Sequence, residues 1–548
     1  MPIRFSGRAS EAYHYPLLLR HLLHRPLAIS PSQHIVYRNQ FRCTYAGLRE
    51  RLGRLASGLA SRGVEAGTTV AVMDWDSHRY LECYFGVPMM GAVLQTVNVR
   101  LSPGEIAYTL DHAHAEVLLV HHEFLPLLAG IREQLPALRT VVLIADGASD
   151  LTIPEWIDDE YEALLARSTP DFAFTDFDEN AVATTFYTTG TTGVPKGVCF
   201  SHRQLVLHTL AVMAAGGGAP HGQGMRSDDV YMPLTPMFHV HAWGNPYVAT
   251  LLGIKQVYPG RYVPSEILAL RQREGVTYSH CVPTILQMLL SEAVAGGGDL
   301  RGWKICIGGS ALSTGLAREA LDRGIDIYAG YGMSETGPAL TVACLTSAPG
   351  SLPVEAEIER RCRTGAPIPL VDLRIVDDKG SPLPHDDHAT GEIVVRAPWL
   401  TQCYVGNAPA SEELWRDGYL HTQDVARIDP DGYVQITDRT KDIIKTGGEW
   451  LSSIQIEDIV SRHPEVAAVA VIAVRDAKWG ERPHVLVVPR PGHAESLTGD
   501  AIRAWIAAAA TAGTIPRYAV PERVTFVDSL ARTSVGKINK RALREQYG

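Results

Sequence analysis

Thr188-Thr189-Gly190-Thr191-Thr192-Gly193-Val194-Pro195-Lys196-Gly197 is the stretch on which the reading of this chain turns. It holds four threonine hydroxyls, three glycines and one lysine. Glycines let backbone N–H groups converge on an anion, hydroxyls add donors, and lysine adds a mobile positive charge. That chemistry suits a polyphosphate. Residues 181–187 before it are apolar and β-rich and Val198-Cys199-Phe200 follow, so the run reads as a turn between two strands. A Walker A loop requires G-x-x-x-x-G-K-[ST] opening a helix. Here Lys196 lies three residues past Gly193, behind Pro195, with Gly197 after it, so spacing and context both rule that motif out. A flexible surface loop is the plainer alternative, but a solvated linker has no need of proline and lysine at fixed places.

The chain has 548 residues, more than one hydrophobic core usually serves, so two or more domains are expected. Hydrophobic content of 46% and charged content of 20% place it among ordinary globular proteins. Its net charge of −10 and the lack of a long basic block argue against a nucleic-acid surface. The eight cysteines form no C-x-x-C and no zinc spacing, which fits reduced thiols in a cytoplasmic protein. Leu17-Leu18-Leu19 is broken at Arg20, too short for a signal peptide. No apolar stretch approaches the roughly 20 residues that span a bilayer, so no integral membrane association is expected.

Residues 44–120 alternate helix and strand. Thr44 can cap a helix with Leu48, Leu52, Leu55 and Leu59 on one face, closed by Gly63. Thr69-Val70-Ala71-Val72-Met73 is a buried strand, Ser102-Pro103 starts another helix, and residues 116–120 form another strand. This rhythm argues for parallel sheets covered by helices. Similar units are expected at 276–290 and 303–327, and the glycine patches 216–218 and 296–298 as exposed loops. From Cys362 the pattern changes to short strands and turns, a β-rich module with a turn at Asp429-Pro430-Asp431-Gly432. After Lys441 βα alternation is expected to resume, with strands at 466–474 and 484–488. The expected fold is α/β: an N-terminal domain over 1–438 containing a β-rich subdomain at about 362–438, and a small mobile α+β C-terminal domain over 439–548.

Further ordered motifs accompany the loop: Gly330-Tyr331-Gly332-Met333-Ser334-Glu335-Thr336, Tyr419-Leu420-His421-Thr422-Gln423-Asp424, Asp438-Arg439-Thr440-Lys441-Asp442, Lys445-Thr446-Gly447-Gly448-Glu449-Trp450 and Arg532-Thr533-Ser534-Val535-Gly536-Lys537. As an ordered set spanning nearly the whole chain, they resemble the adenylate-forming superfamily of acyl-CoA synthetases, luciferases and nonribosomal adenylation domains. The resemblance implies attack of a carboxylate on the α-phosphate of ATP, giving acyl-AMP and pyrophosphate, then acyl transfer to coenzyme A. Two anions must meet, so charge has to be neutralised and the atoms held in line. Magnesium on phosphate oxygens would do part of this.

On this resemblance Thr188, Thr189, Gly190, Thr191, Thr192 and Lys196 grip the phosphates. Glu335 is the candidate magnesium carboxylate, with Thr188 adding a hydroxyl. Tyr331 would stack on adenine, Gly330 and Ser334 would line the adenylate site, and Thr336 would contact phosphate. Asp424 offers two acceptor oxygens to the ribose hydroxyls, as the acidic residue of dinucleotide sites does, and Arg439 adds a ribose or phosphate contact. Glycine is usual in the family where Gln423 stands, a departure that concerns the local backbone and not the role of Asp424. Lys537 would bridge the acid and the α-phosphate, a task suited to a flexible point charge. The C-terminal domain would then swing about a hinge at Lys441, which with Trp450 would also touch the adenylate before rotation. That motion brings Lys445, Gly447, Gly448, Glu449 and Trp450 to line a tunnel for the CoA thiol.

Pro236-Met237-Phe238-His239-Val240-His241-Ala242-Trp243-Gly244 is the main clue to the acid. His239 is expected near the carboxylate as a catalytic candidate beside Lys537 and Glu335, and His239 and His241 on one face of a strand. A metal reading of that pair is set aside because no third ligand is evident. Phe238 and Trp243 fit either a channel or a core. The stretch most resembles medium- and long-chain fatty acyl-CoA ligases, where a tryptophan at the Trp243 position gates the acyl tunnel. That subgroup also holds a ligase for 3-methylmercaptopropionate, kept as the alternative acid. His239, Val240, Trp243, Gly309, Ser310, Ala311 and Gly332 outline the expected acyl pocket, and a homodimer is a family expectation. Three rivals stand beside the ligase: loading of a separate carrier protein, a P-loop-type ATPase, and a non-catalytic nucleotide- or acyl-binding protein. The set Glu335, Asp424 and Lys537 argues against the last.

Overall fold

The computed structural model of the protein describes residues 3–148, 151–188, 194–446 and 449–548. Its first sheet has seven strands in the order Asp159–Glu160, Thr140–Ile144, Ala115–His121, Thr69–Met73, Val93–Thr96, Val182–Thr188 and Lys196–Ser201. All pair in parallel except the last, which forms a hairpin with Val182–Thr188. Of the threonine–glycine run, Thr188 thus ends one strand of a β-hairpin and Lys196 begins the other. Thr44 caps helix Tyr45–Ser61 by accepting the Gly47 N–H, and Ser102 with Glu105 forms a reciprocal capping box on helix Pro103–His112. Each such cap satisfies backbone donors that a helix start would otherwise leave open.

A second, nine-stranded sheet is built on parallel strands Lys255–Tyr258, Val230–Leu234, Tyr278–Cys281, Lys304–Ile307 and Asp326–Gly332. Helix His78–Met89 is buried along its whole length, charged residues included. Glu82 accepts Arg51 Nε and Tyr161 Oη, each at 2.6 Å, and Arg79 pairs with Asp146 at 2.9 Å. Such buried charges persist only when paired, and removing one partner costs about 3–5 kcal/mol.

Asp372–Val376, Gly391–Arg396, Trp415–Arg416, Tyr419–Ile428 and Val434–Arg439 form an antiparallel five-stranded sheet. Beyond it Ile444–Thr446, Glu449–Leu451, Val466–Asp476, Gly480–Pro489 and Arg523–Phe526 make a further sheet. That sheet has its own core around Ile456, Val471, Val485 and Ile502. The fold is α/β, with large helix-covered sheets, a β-rich module and a small C-terminal α+β unit. Among the described residues, no helix is long and apolar enough to cross a membrane.

Two expectations are corrected. Residues 466–489 form an antiparallel hairpin rather than a βα unit; long apolar strands give the same pattern in both arrangements. Gly216 and its neighbours are not an exposed loop but the last turn of helix His202–Gly218. Gly216 is buried there, and a Cβ on the facing Gly224 would lie 2.5 Å from its Cα. Close backbone approach explains these glycines. Residues 296–298 are exposed as expected, Gly296 being the last residue of helix Pro283–Gly296 and Gly297, at φ +69°, its stop.

Candidate active site

The carboxyl ends of three parallel strands converge on one cavity. Gly308 and Gly309 follow Lys304–Ile307, Gly330 and Gly332 end Asp326–Gly332, and the segment 235–244 follows Val230–Leu234. Crevices at this end of parallel strands are the usual ligand site of open α/β sheets. His239, Val240, Trp243, Gly309, Gly330 and Tyr331 line the cavity, as do Gly332, Ser334 and Lys537.

Lys537 reaches this wall from the C-terminal unit. Its turn is closed by the Thr533 N–H on the Lys537 carbonyl at 2.7 Å and by the Gly536 N–H on Thr533 O. Asn98 Nδ2 and Arg100 Nη1 donate to Ser534 Oγ and O at 3.0 and 3.3 Å, docking the turn on the N-terminal part. Burial, with Arg439 nearby, pushes the Lys537 ammonium down to about 8, while Asp424 and Glu335 oppose that shift. His239 is pushed down to about 3 by burial, then by Lys537 and Arg100, so its imidazole is neutral at physiological pH.

Asp424 is buried; its Oδ2 accepts Tyr331 Oη at 2.7 Å and its Oδ1 accepts Arg439 Nε at 3.0 Å. Gln423 beside it has φ +61°, a conformation that favours glycine, which accounts for the family's usual residue there. Glu335 is held in the 3-10 turn Ser334–Thr336, and its Oε1 accepts Tyr404 Oη at 2.7 Å. The Lys196 ammonium stands 4.8 Å from the Tyr404 ring centre. Thr188 Oγ1 donates across the hairpin to Lys196 O at 3.5 Å.

Other expected site residues stand elsewhere. Thr336 is fully buried, and its hydroxyl accepts the Met333 N–H and donates to Pro338 O, so the turn consumes it rather than presenting it to a phosphate. Ser310 and Ala311 are exposed and outside the cavity wall, because the chain turns outward after Gly309 at φ +75°. His239 and His241 do not share a strand face. Val240, His241, Ala242 and Trp243 all have φ between 46° and 58°, a left-handed turn that sends His241 into an aromatic cluster with Tyr84, Phe186 and Phe200.

Lys441 is lowered by burial and by Arg439. Lys445 and Glu449 are exposed on the strand pair that opens the last sheet. Thr189, Gly190, Thr191, Thr192, Gly447 and Gly448 lie outside the described residues, as does the side chain of Trp450.

Sequence reasoning missed several residues. Tyr404 has no motif of its own. Asp76 Oδ1 accepts the Met237 N–H at 2.8 Å and Thr96 Oγ1 donates to Phe238 O at 2.9 Å, so the first sheet fixes the backbone that carries His239. Trp243 packs against His280 with ring centres 5.0 Å apart, and a Cβ on Gly308 would come within 3.0 Å of its indole. Beyond the tryptophan, Val212, Ala215, Gly216, Met225, Tyr278 and Tyr328 continue the cavity wall. The wall here is mostly apolar; its polar groups are the Tyr278 and Tyr328 hydroxyls, 3.3 Å apart, with Asn245, Thr341, Cys306 and Cys344 also on the lining.

Comparison with known proteins matches AMP-binding enzymes over residues 25–405 and the AMP-binding enzyme C-terminal domain over 455–537. The chain is 42% identical to a long-chain-fatty-acid–CoA ligase of Thermus thermophilus, covering 92% of this chain and 90% of the relative. It is 39% identical to a 3-methylmercaptopropionyl-CoA ligase of Ruegeria pomeroyi, with 92% and 91% covered. The structure of ATP-bound MatB from Rhodopseudomonas palustris superimposes with a TM-score of 0.79 at 26% identity, over 96% of this chain and 98% of that one.

Proposed function

We propose, from the premise that this chain belongs to the AMP-binding enzyme family, that the acid it joins to coenzyme A is a medium-chain fatty acid. The reaction class follows from that membership: the protein is an AMP-forming acid–CoA ligase that uses ATP and CoA. Its substrate is a small-molecule carboxylic acid.

The observation that carries the reading is the placement of Lys537 and neutral His239 at one end of a cavity whose far wall is apolar. A carboxylate laid beside Lys537 has its charge offset, while the uncharged imidazole can hydrogen-bond it without adding a second cation. Asp424 and Arg439 face the ribose, Tyr331 the adenine, and Lys196 with the threonine loop the departing phosphates. Glu335 and Thr188 offer a carboxylate and a hydroxyl, oxygen donors that fit magnesium, and the bound ion would neutralise phosphate charge. In-line attack of the acid on the α-phosphate then expels pyrophosphate from a pre-oriented pair.

For the second half-reaction the unit after residue 438 turns about Lys441, withdrawing Lys537 and bringing Lys445, Glu449 and their strand pair to the site. The boundary at 438/439 is supported by the separate cores on either side. A cytoplasmic homodimer is the proposed setting, supported by family resemblance and tested by light scattering.

Each methylene buried along the wall contributes about 0.8 kcal/mol, so octanoate should outbind butyrate by about 3 kcal/mol if all its extra carbons are enclosed. Acid-dependent pyrophosphate release across acetate, 3-methylmercaptopropionate, butyrate to palmitate, benzoate and cinnamate tests this. A maximum at octanoate or decanoate is expected. A maximum at 3-methylmercaptopropionate would instead assign the short sulfur acid, the activity printed for one relative, and a preference for ring acids would sink both.

A further inference from the structure

Strand Lys196–Ser201, which leaves the phosphate loop, runs antiparallel to the segment around Tyr404. Val198 pairs with Tyr404, and the Val405 N–H donates to Gly197 O at 2.9 Å. This register sets Cys199 directly opposite Cys403. The Thr401 hydroxyl lies 3.1 Å from the carbonyl oxygen of each, and the Cys403 side chain is near enough to Cys199 to raise its thiol pKa. Cys403 is exposed and Cys199 partly buried. Directly opposed antiparallel residues have Cα atoms about 4.5–5.5 Å apart, inside the roughly 4.4–6.8 Å that a disulfide spans.

We propose that Cys199 and Cys403 form a reversible disulfide that shuts down acyl-adenylate formation. The oxidant is a low-molecular-weight disulfide of the glutathione class. The exposed Cys403 thiolate attacks one sulfur of that disulfide, giving a mixed disulfide and releasing one thiolate. Cys199, deprotonated, then attacks Cys403 Sγ and expels the second thiolate. Two protein thiols are oxidised and one small disulfide is reduced; the two protons leave on the two small thiols. Burial, helped by Cys403, pushes the Cys199 thiol up to about 11. The second step is therefore the slow one near neutral pH and quickens as pH rises.

The consequence comes through Tyr404, the residue after Cys403. Its hydroxyl holds Glu335 Oε1 and its ring lies under Lys196. Closing the opposed thiols to an S–S bond of about 2.05 Å rotates the Cys403 side chain and pins it to the strand, and the adjoining phenol shifts with it. Misplacement by about 1 Å near reacting groups can cost on the order of a hundredfold in rate. The size of this effect rests on the role proposed for Glu335; the cross-link itself does not.

The test uses the full-length enzyme treated with oxidised glutathione, blocked with iodoacetamide, digested and analysed by peptide mass spectrometry. A Cys199–Cys403 linked peptide is expected, with acid-dependent pyrophosphate release reduced at least tenfold and restored by dithiothreitol. Cys403→Ser should keep full basal activity and resist the oxidant, and Cys199→Ser should stop at glutathione on Cys403. Wild-type enzyme carrying glutathione on Cys403 with no linked peptide overturns the site. A linked peptide with unchanged pyrophosphate release overturns the switch.

Discussion

A Cβ on Gly309 would stand 2.9 Å from Lys537 Cε, so a glycine on the second sheet clears the path by which a C-terminal lysine enters the cavity. Gly309 also has φ +75°, where a side chain costs about 1–2 kcal/mol. Gly309→Ala should therefore lower acyl-AMP formation about tenfold or more by pushing Lys537 aside. Lys537→Ala should lower it further while leaving the conversion of supplied acyl-AMP and CoA to thioester near normal. ATP–pyrophosphate exchange and single-turnover thioester formation separate the two. Equal loss of both half-reactions in Lys537→Ala would contradict the division of labour.

The Lys537 ammonium, pushed down to about 8, gives adenylation a pH dependence. The protonated form neutralises charge, so the rate should be full below about pH 7 and fall as pH rises through 8. Bound anions favour the protonated form, so the limb should move upward at saturating ATP and acid. In Lys537→Arg, whose guanidinium stays charged, the alkaline limb should disappear from the profile whatever rate remains. A limb unchanged by that substitution would assign it to another group.

Tyr404 Oη supports Glu335 at 2.7 Å. Hydrogen bonds to charged groups contribute about 1.5–3 kcal/mol. Tyr404→Phe should raise the magnesium concentration needed for half-maximal pyrophosphate release by about tenfold, with little change in the KM for the acid. A change confined to the acid KM would detach Tyr404 from the metal site.

Ala215 lines the cavity wall beyond Trp243, beside the Gly216–Gly224 contact. Ala215→Phe should occupy the far end and shift the preferred acid to shorter chains. Each methylene excluded should cost about 0.8 kcal/mol, read as kcat/KM along the fatty-acid series. An unaltered series would place the acyl chain elsewhere.

Gln423 holds φ +61° through backbone contacts, its N–H on Glu392 Oε1 and its carbonyl accepting the Thr440 N–H. Gln423→Gly should relieve that strain and stabilise the protein by up to about 1 kcal/mol, measured as a higher denaturation midpoint. Activity should not change.

Local signals were legible wherever physics is local. Thr44 and Ser102 announced their helices because a hydroxyl must satisfy the first-turn N–H groups, and the threonine–glycine run announced a hairpin connection because neither helix nor strand tolerates it. The glycine at 216 misled, since it makes room for the backbone at Gly224 only once the chain folds back after the helix. His239 and His241 misled for a similar reason: four consecutive left-handed residues are imposed by the surrounding packing, and alternation along the chain cannot signal them. Tyr404, Asp76 and Thr96 carried no signal, because each acts on a residue of another segment.

Residue type and spacing alone pointed to a polyphosphate grip in the threonine–glycine run, because an anion demands donors and positive charge in a short stretch of chain. ATP, the ribose and the carboxylate were implied by the resemblance that the ordered motifs carry. The tertiary structure decided which of these residues meet. Lys537 comes beside His239 only when the C-terminal turn docks through Asn98 and Arg100, and the cavity wall exists only where helix His202–Gly218 packs over the second sheet. Such distances are set by packing between segments, and packing leaves no periodic trace in the sequence.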